Sequence, residues 1–442
     1  MEHEKRKIKR QNQRLIVMGV IIPTLAAVAV AIVFYAFGWR FDTKNKELYL
    51  SSVLYLRSQP LEANIYINDK LQGKTKQIQR QVKPGIYNLK LLKDEFMPWE
   101  AVLDVPPSSV VEVDPYLFYQ KPKLQNEIVF EKYLASHKQK ISFIQNGKLT
   151  YCDLPCEKFQ ILDIKDLSFS KIELGDKKIY LEYNNYFLSI NLTNQKQEKI
   201  NKPSNTSTKK YAFTNTGIYV LNANGNLYQL TKTTPILIQE KVKSIVSDQE
   251  WLYFLTQDGE LSAKLNQIKN IATNHIAAKN FEQNELKISD LSLKVFPNDT
   301  VFLTQNNQYF ILKNEQAEFI NNNLQNYITV DGYSAWLTKN GDLYLKIPDV
   351  EKPRFVNNYF NNPKEIFFFS PEYIALIYDK QLKMIETTTK QEFILFNYKT
   401  TNNYLYPSTE TEISQINNNQ ISNFKLTENT SFWQKILKTF RR

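Results

Sequence analysis

The chain has 442 residues, enough for two or three domains or one large repeat array, and carries only 11 Gly beside 26 Tyr and 27 Phe. Aromatic richness without long Ala/Leu/Glu runs points to β-structure rather than helix. The net charge of +11 sits mostly at the two ends, +4 in residues 1–14 and +4 in 433–442, leaving +3 for everything between; that distribution argues against a basic face on the body, and no nucleic acid is expected as a partner.

The cytoplasmic basic tail is read as residues 1–14. Leu15 to Phe37 then form 23 residues without a charge, and about 20 apolar residues span a bilayer as a helix. Pro23 and Gly19 are tolerated in such helices. Tyr35 and Trp39 suit an interface, where aromatic rings sit at headgroup level. The expectation is an uncleaved transmembrane helix over 15–38 in contact with the lipid bilayer. A cleaved signal peptide is the rival, with small-x-small sites at Ala27/Ala29 and Ala29/Ala31. The apolar run, however, outlasts the usual h-region of about 7–15 residues. Arg6, Lys7, Lys9, Arg10 and Arg14 precede the run, and only Arg40 and Lys44 follow soon after. The positive-inside bias then puts the N-terminus in the cytoplasm and the later domains outside a singly crossed cell membrane.

After the apolar run the periodicity becomes two. Ala63, Ile65 and Ile67 alternate with Asn64, Tyr66 and Asn68, the pattern of a half-buried strand, and Asn68-Asp69 follows as a turn. Pro84-Gly85 punctuates before "IYNLKLL", and "FMPWEAVLDV" and "SVVEVDPYLF" add two more strands. The reading is a small β-sandwich over residues 52–120.

Ser58, Pro60 and Ala63, then "IYINDK", then Gly73 and Thr75, then Pro84-Gly85 with Tyr87, and finally "EFMPW" ending at Trp99, resemble in order the motif of the PEGA domain. Gln59 between Ser58 and Pro60, Asp69 in place of a turn glycine and Lys76 in place of a proline depart from that motif. The resemblance implies an extracytoplasmic β-sandwich of the kind found in envelope proteins, with no catalytic residues of its own.

Two cysteines, Cys152 and Cys156, stand in "YCDLPC". An oxidising compartment permits a short-loop disulfide between them, and a pair of thiols is the other reading. A zinc site lacks ligands, because only His137 lies nearby. The spacing also differs from the C-x-x-C of thioredoxin-like motifs.

Over residues 121–430 one phrase recurs: a turn dipeptide with an apolar residue two positions later. The copies are Asn146-Gly147, Asn184-Asn185, Asn224-Gly225, Asp258-Gly259, Asn306-Asn307, Asn340-Gly341, Asp379-Lys380 and Asn418-Asn419, at spacings of 38, 40, 34, 48, 34, 39 and 39. Type I′ hairpin turns need φ > 0 at both centres, which Asn-Gly and Asp-Gly supply. A period near 40 with a strand pair in each repeat is the pattern of a β-propeller blade, and one such hairpin cannot bury its apolar face alone. Further matches at Asn321, Asn357 and Asn402 break the period and are assigned to outer hairpins of the same blades. The longest interval holds residues 268–292, read either as an insertion on a binding face or as a solvated loop.

No G-x-S-x-G, G-x-G-x-x-G or P-loop pattern is present, and the three histidines are His3, His137 and His275. Asp163 with Asp166, or Glu410 with Glu412, are carboxylate pairs by proximity alone, and exposed charge is their simpler role. No metal, cofactor or catalytic residue is expected. Residues 431–442 place Trp433, Ile436, Leu437 and Phe440 on one helical stripe, flanked by Lys435, Lys438, Arg441 and Arg442. This basic amphipathic helix suits a membrane surface, a partner, or docking on the propeller.

The fold class expected is mainly β: an N-terminal single transmembrane helix, a small PEGA-like β-sandwich, then a seven- or eight-bladed β-propeller. The function expected is non-catalytic display of the propeller to an extracytoplasmic protein or cell-wall partner. A propeller-type envelope glycan hydrolase and a structural subunit of a membrane complex are the alternatives.

Overall fold

The computed structural model of the chain describes residues 17–203, 208–247, 250–258, 261–264, 291–296, 300–305, 307–313, 316–350, 352–359, 363–397, 404–407, 411–417 and 419–428. The basic tail 1–14, the C-terminal stripe 431–442 and all but the end of the 268–292 segment lie outside these residues. The chain divides into two compact units, residues 1–120 with 427–442, and residues 121–426.

The transmembrane expectation over 15–38 is corrected. A π-helical turn, Val17–Ile21, leads into one α-helix, α1, Ile22–Ala36, and among the described residues no helix is long and apolar enough to cross a membrane. At a rise of about 1.5 Å per residue, the 15 residues of α1 reach roughly 22 Å, short of the ~30 Å of a bilayer core. Both ends have local causes. Pro23 falls in the first turn, where its missing N–H does no harm, so the regular helix starts there. At the other end Gly38 takes φ +89° and its carbonyl accepts the Ser51 N–H at 2.9 Å, turning the chain into strand β1. Counting apolar residues registered the run but not these stops.

In the first unit, β1 (Trp39–Asp42) and β2 (Glu47–Leu50) form a hairpin, and Lys83 reaches Asp42 at 3.0 Å. Strands β3 (Ser52–Leu56), β4 (Asn64–Ile67), β5 (Lys70–Lys74), β6 (Gln77–Val82), β7 (Gly85–Leu92), β8 (Trp99–Val105) and β9 (Val110–Val113) make two sheets, ordered β6-β3-β9 and β5-β4-β7-β8. The strand period of two decides the faces. On β8, Trp99, Ala101 and Val105 are buried, while Glu100 and Val102 are exposed. Leu54, Leu56, Ile65, Leu89 and Leu91 complete that core.

The second unit is a closed ring of eight sheets, numbered here as blades 1 to 8 in chain order. The first of the eight lies in residues 132–162 and the second in 171–201. The third occupies 208–239, and the fourth, with three described strands, 242–264. The fifth to seventh lie in 292–322, 324–358 and 365–397. Each is an antiparallel meander in chain order. Blade 8 departs from this: Tyr404–Pro407, Glu412–Ile416 and Gln420–Lys425 are joined by β10 (Lys123–Val129) as the outer strand, with Lys123 opposite Lys425 and Val129 opposite Gln420. The start of the unit thus pairs with its end, which leaves the ring no open blade.

Neighbouring blades share apolar layers all the way round. One cluster joins Leu149 and Leu162 of blade 1 to Ile179 and Leu181 of blade 2, and another joins Phe143 of blade 1 to Ile416 and Ile421 of blade 8. Blades 2 to 7 are linked pairwise in the same manner. Phe396 of blade 7 meets Phe424 of blade 8 edge to face at 4.8 Å. A single hairpin has nothing to cover its apolar face, and each blade here is covered by the two beside it.

Asn146-Gly147, Asn184-Asn185, Asn224-Gly225, Asn340-Gly341 and Asp379-Lys380 fall between the second and third strands of a blade, while Gly259, Asn306 and Asn418 of the other three dipeptides lie outside the described residues. A uniform type I′ turn is not what forms, however. Asn146 and Gly147 both take positive φ, at 51° and 67°, whereas Asn184-Asn185 and Asp379-Lys380 take none. The repeat has a second use. The carbonyl of the second turn residue accepts an N–H from the segment that leaves the outer strand: Lys202 to Asn185, Val242 to Gly225, Asn323 to Asn307, Tyr359 to Gly341 and Phe130 to Asn419, at 2.7–2.9 Å. The turn therefore anchors the crossover to the next blade. Asn321 and Asn357 belong to those crossovers and to the strand ends before them, not to outer hairpins; Asn323, at φ 56°, shows that a crossover draws on the same turn residues. Asn402 lies outside the described residues.

Candidate functional site

The first strand of every blade is its innermost, with a partner on one side only. Innermost strands of successive blades lie against one another, blade 1 with 2, 3 with 4, 4 with 5, 6 with 7 and 7 with 8. Against blades 2 to 5 they wall a cavity of about 570 Å³. Lys171 and Glu173 enter from blade 2, Lys210, Tyr211 and Phe213 from blade 3, Val246 and Ser247 from blade 4, and Lys294 and Val295 from blade 5. Leu174, Ala212, Val246 and Leu293 are buried along this lining, and Lys171, Lys210 and Lys294 stand exposed beside them.

The charges of this cavity are unequal in their pairing. Glu173 is held by Lys171 at 2.5 Å, and Glu182 by Lys202 at 2.7 Å. Lys210 and Lys294 have no carboxylate partner among the described residues. Desolvation by the surrounding walls pulls the Lys210 ammonium below its ordinary value. It does the same to Lys294, where the charge of Lys339 adds to the effect. The Lys294 ammonium lies 4.5 Å from the Phe296 ring centroid and 5.4 Å from that of Tyr309. Tyr211 packs edge-on against Phe187 at 5.0 Å, fixing one wall. A smaller recess of about 380 Å³ beside Lys178 and Thr231 has its Glu198 paired with Lys232.

The cysteines lie elsewhere. Cys152 and Cys156 are joined in a disulfide that closes the loop after the third strand of blade 1, and both are buried in the layer between blades 1 and 8. The Pro155 carbonyl of that loop accepts from Asn423 Nδ2 of blade 8 at 2.7 Å.

The PEGA-like residues cluster around one hydroxyl. Thr75 Oγ1 accepts the Ala63 N–H at 3.0 Å and lies 2.8 Å from Ser58 Oγ, and the Thr75 N–H returns to the Ala63 carbonyl at 2.8 Å. Ser58 Oγ donates in turn to the Pro60 carbonyl. Gly73 is at φ +141°, where a Cβ would meet Gln77 Oε1 at 2.6 Å. Pro84-Gly85 is closed by Tyr87, whose hydroxyl donates to the Lys83 carbonyl at 2.6 Å. Trp99 is buried. These residues build the sandwich rather than a pocket. Thr75→Val, which leaves the Ala63 N–H and the Ser58 hydroxyl without that oxygen, is expected to destabilise the first unit by about 2 kcal/mol, while Thr75→Ser holds within about 1. Thermal denaturation of both variants checks this, and equal losses would refute the hydroxyl's role.

The carboxylate pairs do not assemble into a site. Asp166 accepts the Ser168 N–H at 2.8 Å, and hydrogen bonding from Ser168 holds its carboxyl below the usual range. Asp163 contributes its backbone carbonyl to Gln197. Glu412 lies on blade 8 with its carboxyl pushed up by burial, and Glu410 is outside the described residues. Among the described residues no three His, Cys, Asp or Glu side chains are grouped to hold a metal. Trp433, Lys435, Lys438, Phe440, Arg441 and Arg442 are outside the described residues. Sequence reasoning missed the cavity lysines. The available signal was a lysine in the first strand of several successive repeats.

Residues 51–117 match the PEGA domain. No curated protein matches the chain. Among solved structures, the chain is similar to the WD40 domain of SCAP from fission yeast, at 9% identity over 70% of this chain and 98% of that one, with a TM-score of 0.43. It is similar also to BamB from Moraxella catarrhalis, at 8% identity over 69% and 99%, with a TM-score of 0.41. YCF48 bound to D1 peptide shows 11% identity over 71% and 97%, with a TM-score of 0.39. The described chain contains a PEGA domain and a β-propeller, and the propeller rests on its own strand pairing and closure.

Proposed function

We propose that this chain is a non-catalytic recognition protein whose propeller holds a segment of a protein partner in the cavity walled by blades 2 to 5. The observation that carries this reading is the cavity itself. It is framed by innermost strands from four blades that are locked by ring closure, and its volume falls within the ~300–1,000 Å³ usual for binding clefts. Its glutamates are held in ion pairs, an arrangement suited to shaping a surface more than to moving protons. The disulfide supports operation in an oxidising compartment, outside the cytoplasm.

Site-directed photocrosslinking in the intact chain tests the proposal. A benzophenone amino acid at Tyr211, in the cavity, is expected to give a discrete protein adduct in the producing cells. The same group at Ile394, exposed on the outer strand of blade 7, is expected to give none. Equal labelling from both positions, or none from Tyr211, overturns the reading.

A further inference from the structure

The two unpaired lysines specify the chemistry of what enters the cavity, and this inference rests on the recognition reading above. We propose that the segment held there is an extended acidic peptide whose carboxylates pair with Lys210 and Lys294. Three observations lead to it. First, the carboxylates of the cavity are already occupied, Glu173 by Lys171 and Glu182 by Lys202, so the fixed negative charge is neutralised from within. Among the described residues, Lys210 and Lys294 have no carboxylate partner, and they stand exposed on two walls of one open cleft. Low-dielectric walls focus such a field toward the opening.

Second, Lys339 stands near enough to Lys294 for its positive charge to oppose that of Lys294. An anion that pairs with Lys294 lessens that repulsion. The net charge of the chain away from its two ends is small, so this is a local feature rather than a general basicity.

Third, the walls suit a peptide better than a free anion or a polysaccharide. Each innermost strand has a hydrogen-bonded neighbour in its own sheet on one side only, which leaves its inward edge for an extended backbone. Tyr211 and Val295 supply apolar surface beside the lysines, suited to side chains that alternate with the acidic ones.

The test uses the full chain and fluorescence anisotropy. The probe is a labelled octapeptide of alternating Asp and Val, compared with its Asn/Val counterpart, and polygalacturonate serves as an anionic polysaccharide competitor. The Asp peptide is expected to bind, the Asn peptide to bind at least about tenfold more weakly, and binding to fall as salt rises. The double variant K210Q/K294Q is expected to lose about tenfold or more in affinity, with its melting temperature lowered only by loss of the Lys294 contacts to the Phe296 and Tyr309 rings. Equal binding of the two peptides, unchanged binding by the double variant, or full displacement by polygalacturonate overturns the acidic-peptide assignment. The outcomes separate the two levels of the argument. An adduct from Tyr211 with no acidic-peptide binding removes this inference and leaves the recognition reading standing. Loss of the adduct removes both.

Discussion

Gly341→Ala is expected to destabilise the propeller by roughly 3–4 kcal/mol, the largest loss among the described glycines of the ring. Gly341 has φ +86°, and an added Cβ would lie 2.2 Å from the Tyr359 carbonyl oxygen and 2.7 Å from its carbon. The left-handed backbone alone costs an L-residue about 1–2 kcal/mol. The clash adds to this because the neighbour is backbone and cannot swing away. The Tyr359 N–H donates to the Gly341 carbonyl at 2.7 Å, so separating the two segments also weakens the anchor of the crossover. Tyr359 is itself packed in the layer between blades 6 and 7 with Leu343, Val356 and Ile366, and burial drives its hydroxyl pKa well above the ordinary value. Gly147→Ala supplies the control. Gly147 is also left-handed, at φ +67°, but a Cβ there meets nothing within 4 Å, so the loss should stay near 1 kcal/mol. Urea unfolding of the two variants measures the contrast. If they prove equally destabilised, the turn is not acting as a strap on the crossover.

Asn423→Ala is expected to cost about 3 kcal/mol and to lower the unfolding temperature of the ring. Asn423 is 1% exposed. Its amide donates to Asn126 Oδ1 of β10 at 2.5 Å and to the Pro155 carbonyl at 2.7 Å, and its oxygen meets the Ser414 hydroxyl. One side chain thus joins the closing strand, the body of blade 8 and the disulfide loop of blade 1. Truncation leaves several buried polar groups without partners, which is dearer than the net value of the bonds themselves. Cys152→Ser with Cys156→Ser removes the covalent loop and should cost about 2 kcal/mol, the scale set by so short a closure. Combining them with Asn423→Ala should cost less than the separate losses together, because both act through the position of Pro155. Strict additivity in calorimetry would show the disulfide and the asparagine to be independent, and would remove the loop from ring closure.

The local physics of hairpins explains why so much of the ring was legible beforehand. A two-residue turn between apolar runs is specified by its own residues and needs no distant partner, so the five fully described dipeptides all mark second-to-third strand connections. The same rule misassigned Asn321 and Asn357, because a crossover that must reverse direction draws on the same residues as a hairpin. The order of Ser58, Ala63 and Thr75 identified the PEGA-like segment for an equally local reason, since their hydrogen bonds tie consecutive strands together. The helix after residue 15 was overextended. Hydropathy sums a window, whereas helix length depends on Pro23 at one end and on Gly38 at the other.

What remained out of reach was anything that depends on closure. Lys171 and Lys294 are separated by three blades of chain, and no periodicity in one strand says which wall of a ring its side chains will share. The pairing of β10 with Gln420–Lys425 joins residues near the two ends of the unit, and Asn423 acquires its partners only through it. Amino-acid order sets turns, strand faces and blade rhythm, because those follow from dihedral preference and side-chain alternation over a few residues. Blade number, the cavity and the latch that closes the ring come from contacts between segments hundreds of residues apart, whose energy exists only once the last blade meets the first.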